Sequence, residues 1–271
     1  MLLSLKLLFL FLVIANPIIS LAQLQVSDVS SVQQAVQRLA GDGVVISNVS
    51  YFFDKGPGTD SPIGVFSDPD QTIGLSGGLL MTTGSAKLAA GINNSTSSGQ
   101  GNRPYDHSSP ELSGLISGVN FRDLCVIEFD VSVSSEILTF DYVFGSEEYI
   151  EYVDDGYNDV FGFFLSGPGI NGVKNLALVP NTNTPVSVNS INHLRESSYF
   201  ISNGSGEVAA VGSSMQYDGY TVPLRAQSAV IPCQTYHVKL VIADVGDSIY
   251  DSGVFIEANS FSSSNTPILE V

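Results

Sequence analysis

From Cys125 to Val133 the chain reads CVIEFDVSV, and apolar and polar positions alternate without a break. Cys125, Ile127, Phe129, Val131 and Val133 fall on one side of an extended segment, and Glu128, Asp130, Ser132 and Ser134 fall on the other. The pattern predicts a strand with Cys125 turned toward the core. TYHVKLVIADV behaves alike, setting Tyr236, Val238, Leu240 and Ile242 against His237, Lys239 and Val241. ILTFDYVFG is apolar on both faces apart from Thr139 and Asp141, which predicts a central strand covered on both sides. DVFGFFLSG is similar, and Gly167, Pro168 and Gly169 stop it. VVISNVSYF allows two readings, one with Val45, Val49 and Tyr51 on a face, the other with Val44, Ile46 and Phe52. GVFIEANSF closes the domain.

One stretch alone has a helical period. DVSSVQQAVQRLAG places Val29, Val32, Val36 and Leu39 on one stripe, with Asp28 or Ser30 to cap its start and Gly41 or Gly43 to end it. The region from Thr83 to Leu115 is rich in Gly, Ser and Asn and is expected as a long surface loop at one end of a sandwich. No internal repeat, heptad or Pro-rich linker divides the chain, so one large all-β domain is expected.

The N-terminus changes the compartment. Lys6 precedes the apolar run LLFLFLVIANPII, and Ser20 and Ala22 offer small residues for cleavage after Ala22. Residues 1–22 therefore read as a secretory signal peptide. No later segment has the roughly 20 continuous apolar residues of a membrane span. The net charge of −17 becomes one unit more negative once Lys6 leaves. That balance argues against nucleic acid, whose phosphates need clustered Lys and Arg, and against passive docking on anionic lipid. Two cysteines, Cys125 and Cys233, in an oxidising compartment lead to the expectation of one long-range disulfide.

Five stretches, in this order, carry a resemblance: IGLSGGLLMTTGSA, FDYVFGSEEYIEYVDDGYNDVFGFFLSGPGI, NLALVPNTNTPVSVNSIN, YDGYTVPLRA and CQTYHVKLVIADVGDSIYDSGVFIEANSF. The chain resembles the choice-of-anchor L domain family of bacterial secreted and cell-surface proteins. The resemblance implies an extracellular or cell-surface protein, often part of a larger adhesin-like chain with a C-terminal sorting domain. Here the sequence ends at SSSNTPILEV, directly after the matching segments, which leads to the expectation of either a stand-alone secreted module or a fragment.

The acids between Phe144 and Phe164 crowd against aromatic residues, and like charges so placed must stay solvated, bind protons or share a cation. GSEEY and DDGYND supply carboxylates and an Asn amide within one excursion, and ADVGDSIYDSG supplies more. If the two turns meet, Glu147, Glu148, Asn158, Asp159, Asp244, Asp247 and Asp251 would converge on calcium, which takes six to eight hard oxygens in irregular loops. Neither turn has the EF-hand spacing. Glu151, Asp154 and Asp155 read instead as solvated loop acids.

A lectin-like alternative would use calcium to fix loops that present Asn158, Asp159, Tyr152 and Tyr157 to a sugar. Catalysis is the weakest reading. Glu147 and Glu148 are adjacent, so an extended backbone points them to opposite faces and they cannot flank one glycosidic bond, which leaves other pairings such as Glu148 with Asp247 open. His107, His193 and His237 lie in unrelated contexts, and no nucleophile elbow or His-Glu-x-x-His occurs. The expectation is a jelly-roll-like β-sandwich with one short N-terminal helix over residues 23–264, followed by a tail at 265–271. It would be a non-catalytic extracellular module for adhesion or surface assembly that meets a surface glycan or an extracellular protein.

Overall fold

The structure, a computed structural model, describes residues 24–53, 60–100, 109–206, 213 and 215–265. The leader, His107 and the tail beyond residue 265 lie outside the described residues. Two antiparallel sheets stack face to face. The first runs β1 (Gln25–Asp28), β3 (Ile63–Ser67), β4 (Gly77–Thr82), β13 (Ser252–Glu257), β6 (Ile137–Ser146), β10 (Gly219–Thr221) and β9 (Phe200–Ser202). Both β11 (Leu224–Ala229) and β14 (Ser262–Ser264) also pair with β6. The second sheet runs β2 (Val44–Phe53), β5 (Phe121–Val133), β12 (Thr235–Val245), β7 (Val160–Ser166) and β8 (Lys174–Asn175). From β5 to β7, and again from β11 to β13, each strand lies in the sheet opposite its predecessor, the crossing that makes the sandwich jelly-roll-like.

Alternation explains the main core. Cys125, Ile127, Phe129, Val131 and Val133 of β5, with Tyr236, Val238, Leu240 and Ile242 of β12, meet Leu138, Phe140, Tyr142 and Phe144 of β6 between the sheets. β6 and β7 are apolar on both faces because their outer faces are also covered. Val143 packs outside with Leu80, Phe255 and Tyr217, and Val160 and Phe164 pack outside with Leu112 and Phe121. Asp141, the polar exception on β6, is directly opposite Arg225 of β11, whose Nε and Nη2 donate to its two oxygens at 2.6 and 2.7 Å. This two-point pairing compensates a half-buried charge.

Neither reading of VVISNVSYF holds along its whole length. The register against β5 shifts between Ser47 and Ser50, and Asn48 stands at φ 53°. The extra residue reverses the parity. Val44 and Ile46 face inward before it, whereas Val49 and Phe53 pack on the core after it. The Asn48 amide donates to Asp130 Oδ2 at 2.7 Å, which ties the bulge down.

The helix α1 (Val32–Gln37) buries Val32 and Val36 as its period predicts, but its cap is Ser31, whose Oγ accepts the Gln34 N–H at 3.3 Å. It ends at Arg38 before either glycine. The Thr83–Leu115 region is also not simply a surface loop: Ala86, Ala89 and Asn93 are buried.

The expected disulfide is corrected. Cys125 sits within β5 opposite Phe53 and Ile242, and exposed Cys233 donates its N–H to Val133 O at 2.8 Å. Those anchor points are eight residues apart on β5, about 26 Å of extended chain. A disulfide needs Cα atoms about 4.4–6.8 Å apart, so Cys125 and Cys233 are not joined by one.

Candidate functional site

Antiparallel pairing brings the ends of several strands to one end of the sandwich. β6 ends at Ser146, so Glu147 and Glu148 follow there; Asp159 immediately precedes β7, Asp244 lies near the end of β12, and Asp251 immediately precedes β13. Asp123, near the start of β5, joins them because Asp244 is paired with Arg122 next to it. Asp123, Glu147, Glu148, Asp159, Asp244 and Asp251 are each no more than 2% exposed.

The backbone and hydroxyl groups around them are donors. Asp159 Oδ1 accepts from Val245 N at 3.0 Å, and its Oδ2 accepts from Ser252 Oγ at 2.6 Å. Ser252 N in turn donates to Thr83 Oγ1 at 3.0 Å. A segment of the Gly-, Ser- and Asn-rich loop lies across the cluster: Ser98 N donates to Glu147 Oε1 at 2.7 Å, and Gln100 N donates to Asp251 Oδ2 at 3.0 Å. Gly84 permits a close approach, since a Cβ there would stand 1.8 Å from Asp251 Oδ2. Glu148 Oε2 and Glu147 Oε2 are buried with no hydrogen-bond partner, and both oxygens of Asp244 are buried outside good hydrogen-bond geometry, although the Thr83 hydroxyl and the Asp159 carboxyl lie close enough to interact with Asp244.

Burial raises every one of these carboxyl groups for which a shift is resolved, because the charged form loses water. Glu147 is pushed up to about 8 by burial, despite the Ser98 hydrogen bond, with Asp218, Asp251 and Glu151 adding to the rise. Glu148 and Asp159 are raised by burial and by neighbouring acids, and Asp244 is raised by burial and by Asp159, Asp251 and Asp123. Negative charge surrounds negative charge. Such a cluster is satisfied by protons or by a cation of hard-oxygen preference, and among the described residues its side-chain donors are oxygens.

Five of the seven expected ligands come together: Glu147, Glu148, Asp159, Asp244 and Asp251. Asp247 stands at the rim, where it acts electrostatically on Glu148 and Asp159 while its Oδ1 accepts Ile249 N at 3.0 Å in a local turn. Asn158 is separated from them. Its Oδ1 accepts Asn189 N at 2.8 Å, and it lines an open cavity of about 520 Å³ with Ser187, Asn189, Ser190, Arg195 and Glu196. As placed, no group of three or more His, Cys, Asp or Glu among the described residues is positioned to hold a metal. Asp154, read as a solvated acid, is exposed and pairs with Arg195 at 2.6 Å.

Two acids were not expected here. Asp123 precedes the clear alternation of β5, and its φ of 49° is a backbone feature that the sequence does not announce. Asp218, 2% exposed in the YDGY stretch, accepts from Asn93 Nδ2 at 2.7 Å. Burial pushes Asp218 up to about 7, with Asn93 opposing the rise and Glu151 adding to it. Between the ordinary Asp value near 3.9 and about 7, the folded chain holds a proton that the unfolded chain has lost, so stability falls as pH rises through that window. Asp218→Asn keeps an acceptor for Asn93, and it is expected to flatten that part of the pH dependence by on the order of 1 kcal/mol per pH unit. Urea unfolding at pH 5, 6, 7 and 8 checks this; parallel profiles for the two proteins would sink the assignment.

The described residues include no helix long and apolar enough to cross a membrane. Comparison with curated proteins finds none that matches. Among solved structures, TmCBM61 in complex with β-1,4-galactotriose overlaps 80% of this chain and 88% of its own at 10% identity, with a TM-score of 0.28. That overlap is too loose to bear on ligand or mechanism. The pattern of the choice-of-anchor L domain matches residues 25–262, from the first strand into the last, and takes in every acid of the cluster. The chain therefore belongs to the choice-of-anchor L domain family.

Proposed function

We propose that this domain is a non-catalytic module of the cell surface or extracellular space, stabilised by calcium, which attaches to or assembles with an extracellular partner. The observation that carries the reading is the sealing of the acids. The carboxylates best placed for acid–base chemistry are at most 2% exposed, and the N–H groups of Ser98 and Gln100 lie over two of them. A glycosidase must instead present two carboxyl groups to a bond in an open cleft. The family supports the surface setting.

A second reading, calcium-dependent carbohydrate binding, is favoured by one observation. Tyr152 packs 5.4 Å from Tyr157 and 5.1 Å from Tyr250, all three rings are half-buried, and Tyr157 is followed in sequence by Asn158, which lines the open cavity. Aromatic rims with nearby amides suit the apolar and hydroxyl faces of a sugar.

A glycan array and a pull-down from intact cell-surface material separate the two readings. Saturable, competable glycan binding that Tyr152→Ala abolishes would establish the carbohydrate reading. Retention on surface protein without glycan binding would establish assembly. Turnover of a glycoside that Glu148→Gln removes would overturn the non-catalytic reading.

A further inference from the structure

We infer that Glu148, Asp159 and Asp244 form the anionic floor of a buried Ca²⁺ site, with the 98–100 segment as its cover. The inference deepens the calcium element of the reading above and does not depend on the partner. Its test reads the metal directly, so a failed partner screen and a failed metal titration remain separate results.

Three features lead to it. The residues stand after β6, before β7 and within β12, at strand ends that antiparallel pairing holds at one place. Among the described residues, the charged groups that act on them are acids: Asp159 and Asp247 act on Glu148, and Asp159, Asp251 and Asp123 act on Asp244. Independently of charge, the hydrogen-bond geometry leaves capacity aimed into the cluster. Glu148, 2% exposed, has a buried Oε2 without a partner, and Asp244, also 2% exposed, has two oxygens outside good hydrogen-bond geometry, although the Thr83 hydroxyl acts on its carboxyl. Buried polar atoms in folded proteins are nearly always satisfied, so these oxygens, on two side chains that both lie within the influence of Asp159, point to a missing partner.

That partner is a hard cation. The donors are carboxylates with the Thr83 and Ser252 hydroxyls close by, which is an oxygen-only set. Zinc sites draw on Cys and His, and among the described residues the groups that act on these carboxylates include neither. Mg²⁺ demands near-octahedral geometry and keeps its water, whereas Ca²⁺ accepts irregular shells of six to eight oxygens. Without a cation, like charges stand apart, so the shell closes only on binding. Closure is coupled to the loop, because Ser98 and Gln100 hold Glu147 and Asp251, the sequence neighbours of Glu148 and Ser252.

The test is calorimetric titration of the chelator-treated full chain with CaCl₂ alone, and then with CaCl₂ in excess MgCl₂. Saturable binding is expected that survives Mg²⁺ and weakens at least tenfold in both Asp244→Asn and Glu148→Gln. In EDTA the melting temperature of each variant should equal or exceed that of the parent, because a buried unpaired charge has gone; a purely structural role would lower it. Should either variant not fold, Tb³⁺ emission sensitised by nearby tyrosines and quenched by added Ca²⁺ reads the site in the parent chain. No saturable binding up to about 10 mM, ten times the weak end for extracellular calcium modules, would overturn the proposal. So would unchanged affinity in a folded Asp244→Asn, or Tb³⁺ emission that Ca²⁺ does not displace.

Discussion

Replacing Phe140 with alanine is expected to destabilise the domain by about 3–5 kcal/mol, the range for truncating a buried aromatic that leaves a cavity. Phe140 is fully buried where the two sheets meet. Its ring lies 4.1 Å from Phe163 of β7, edge to face, and 4.8 Å from Phe261, stacked. Phe261 contacts Phe129 as well, at 5.5 Å, and its backbone N–H donates to Leu39 O at 3.0 Å after α1. Phe140 therefore joins β6 to β7 and to Phe261, which in turn reaches β5 and the segment after the helix. These neighbours are held by hydrogen-bonded ladders and cannot collapse into the space, which places the cost toward the upper end. In a domain of this size the loss amounts to a drop of about 6–20 °C in melting temperature. Val45→Ala, at a position 66% exposed, is expected to change stability by less than about 0.5 kcal/mol. Urea unfolding of the two variants makes the comparison, and equal effects would remove Phe140 from its place at the junction.

Much of this arrangement is legible in the sequence because side-chain alternation is a local property. The inward face of β5, from Cys125 to Val133, follows from a pattern that any paired register must respect. The doubly apolar runs of β6 and β7 likewise announce coverage on both faces. β2 resists such reading because its bulge at Asn48 is a one-residue event that exchanges the faces midway. The cysteines mislead for a related reason: compartment chemistry says whether a disulfide is favoured, but only strand register says whether Cys125 and Cys233 meet.

The acidic cluster was half legible. Motif crowding marks Glu147, Glu148, Asp159, Asp244 and Asp251, since strand-end turns rich in Asp and Gly stand out against apolar flanks. Convergence, however, depends on which strands are neighbours. Asp123 and Asp218 reach the site through pairings of β12 with β5 and of β10 with β6, which no local pattern encodes. Asn158 adjoins Asp159 in sequence, yet the backbone turn sends it to Asn189 and the open cavity. The cover from Ser98 to Gln100 belongs to a stretch whose composition predicts only a solvated loop.

The second large effect concerns the acids as a group. A ligand that binds only the folded state adds RT ln(1 + [L]/Kd) to stability, so a micromolar calcium site contributes about 4 kcal/mol at millimolar Ca²⁺. For a chain of this length that is a rise of about 8–16 °C. On this proposal the gain would arise because a divalent cation replaces the protons and repulsion that otherwise burden Glu148, Asp159 and Asp244. The measurement that tests the central claim most directly is thermal unfolding of the full chain at pH 7.5 in EDTA, then in 1 mM CaCl₂, with 1 mM MgCl₂ as the control. The account predicts a rise of that size with Ca²⁺ and little change with Mg²⁺. Superimposable curves in all three buffers would contradict it and leave the buried carboxylates to be neutralised by protons alone.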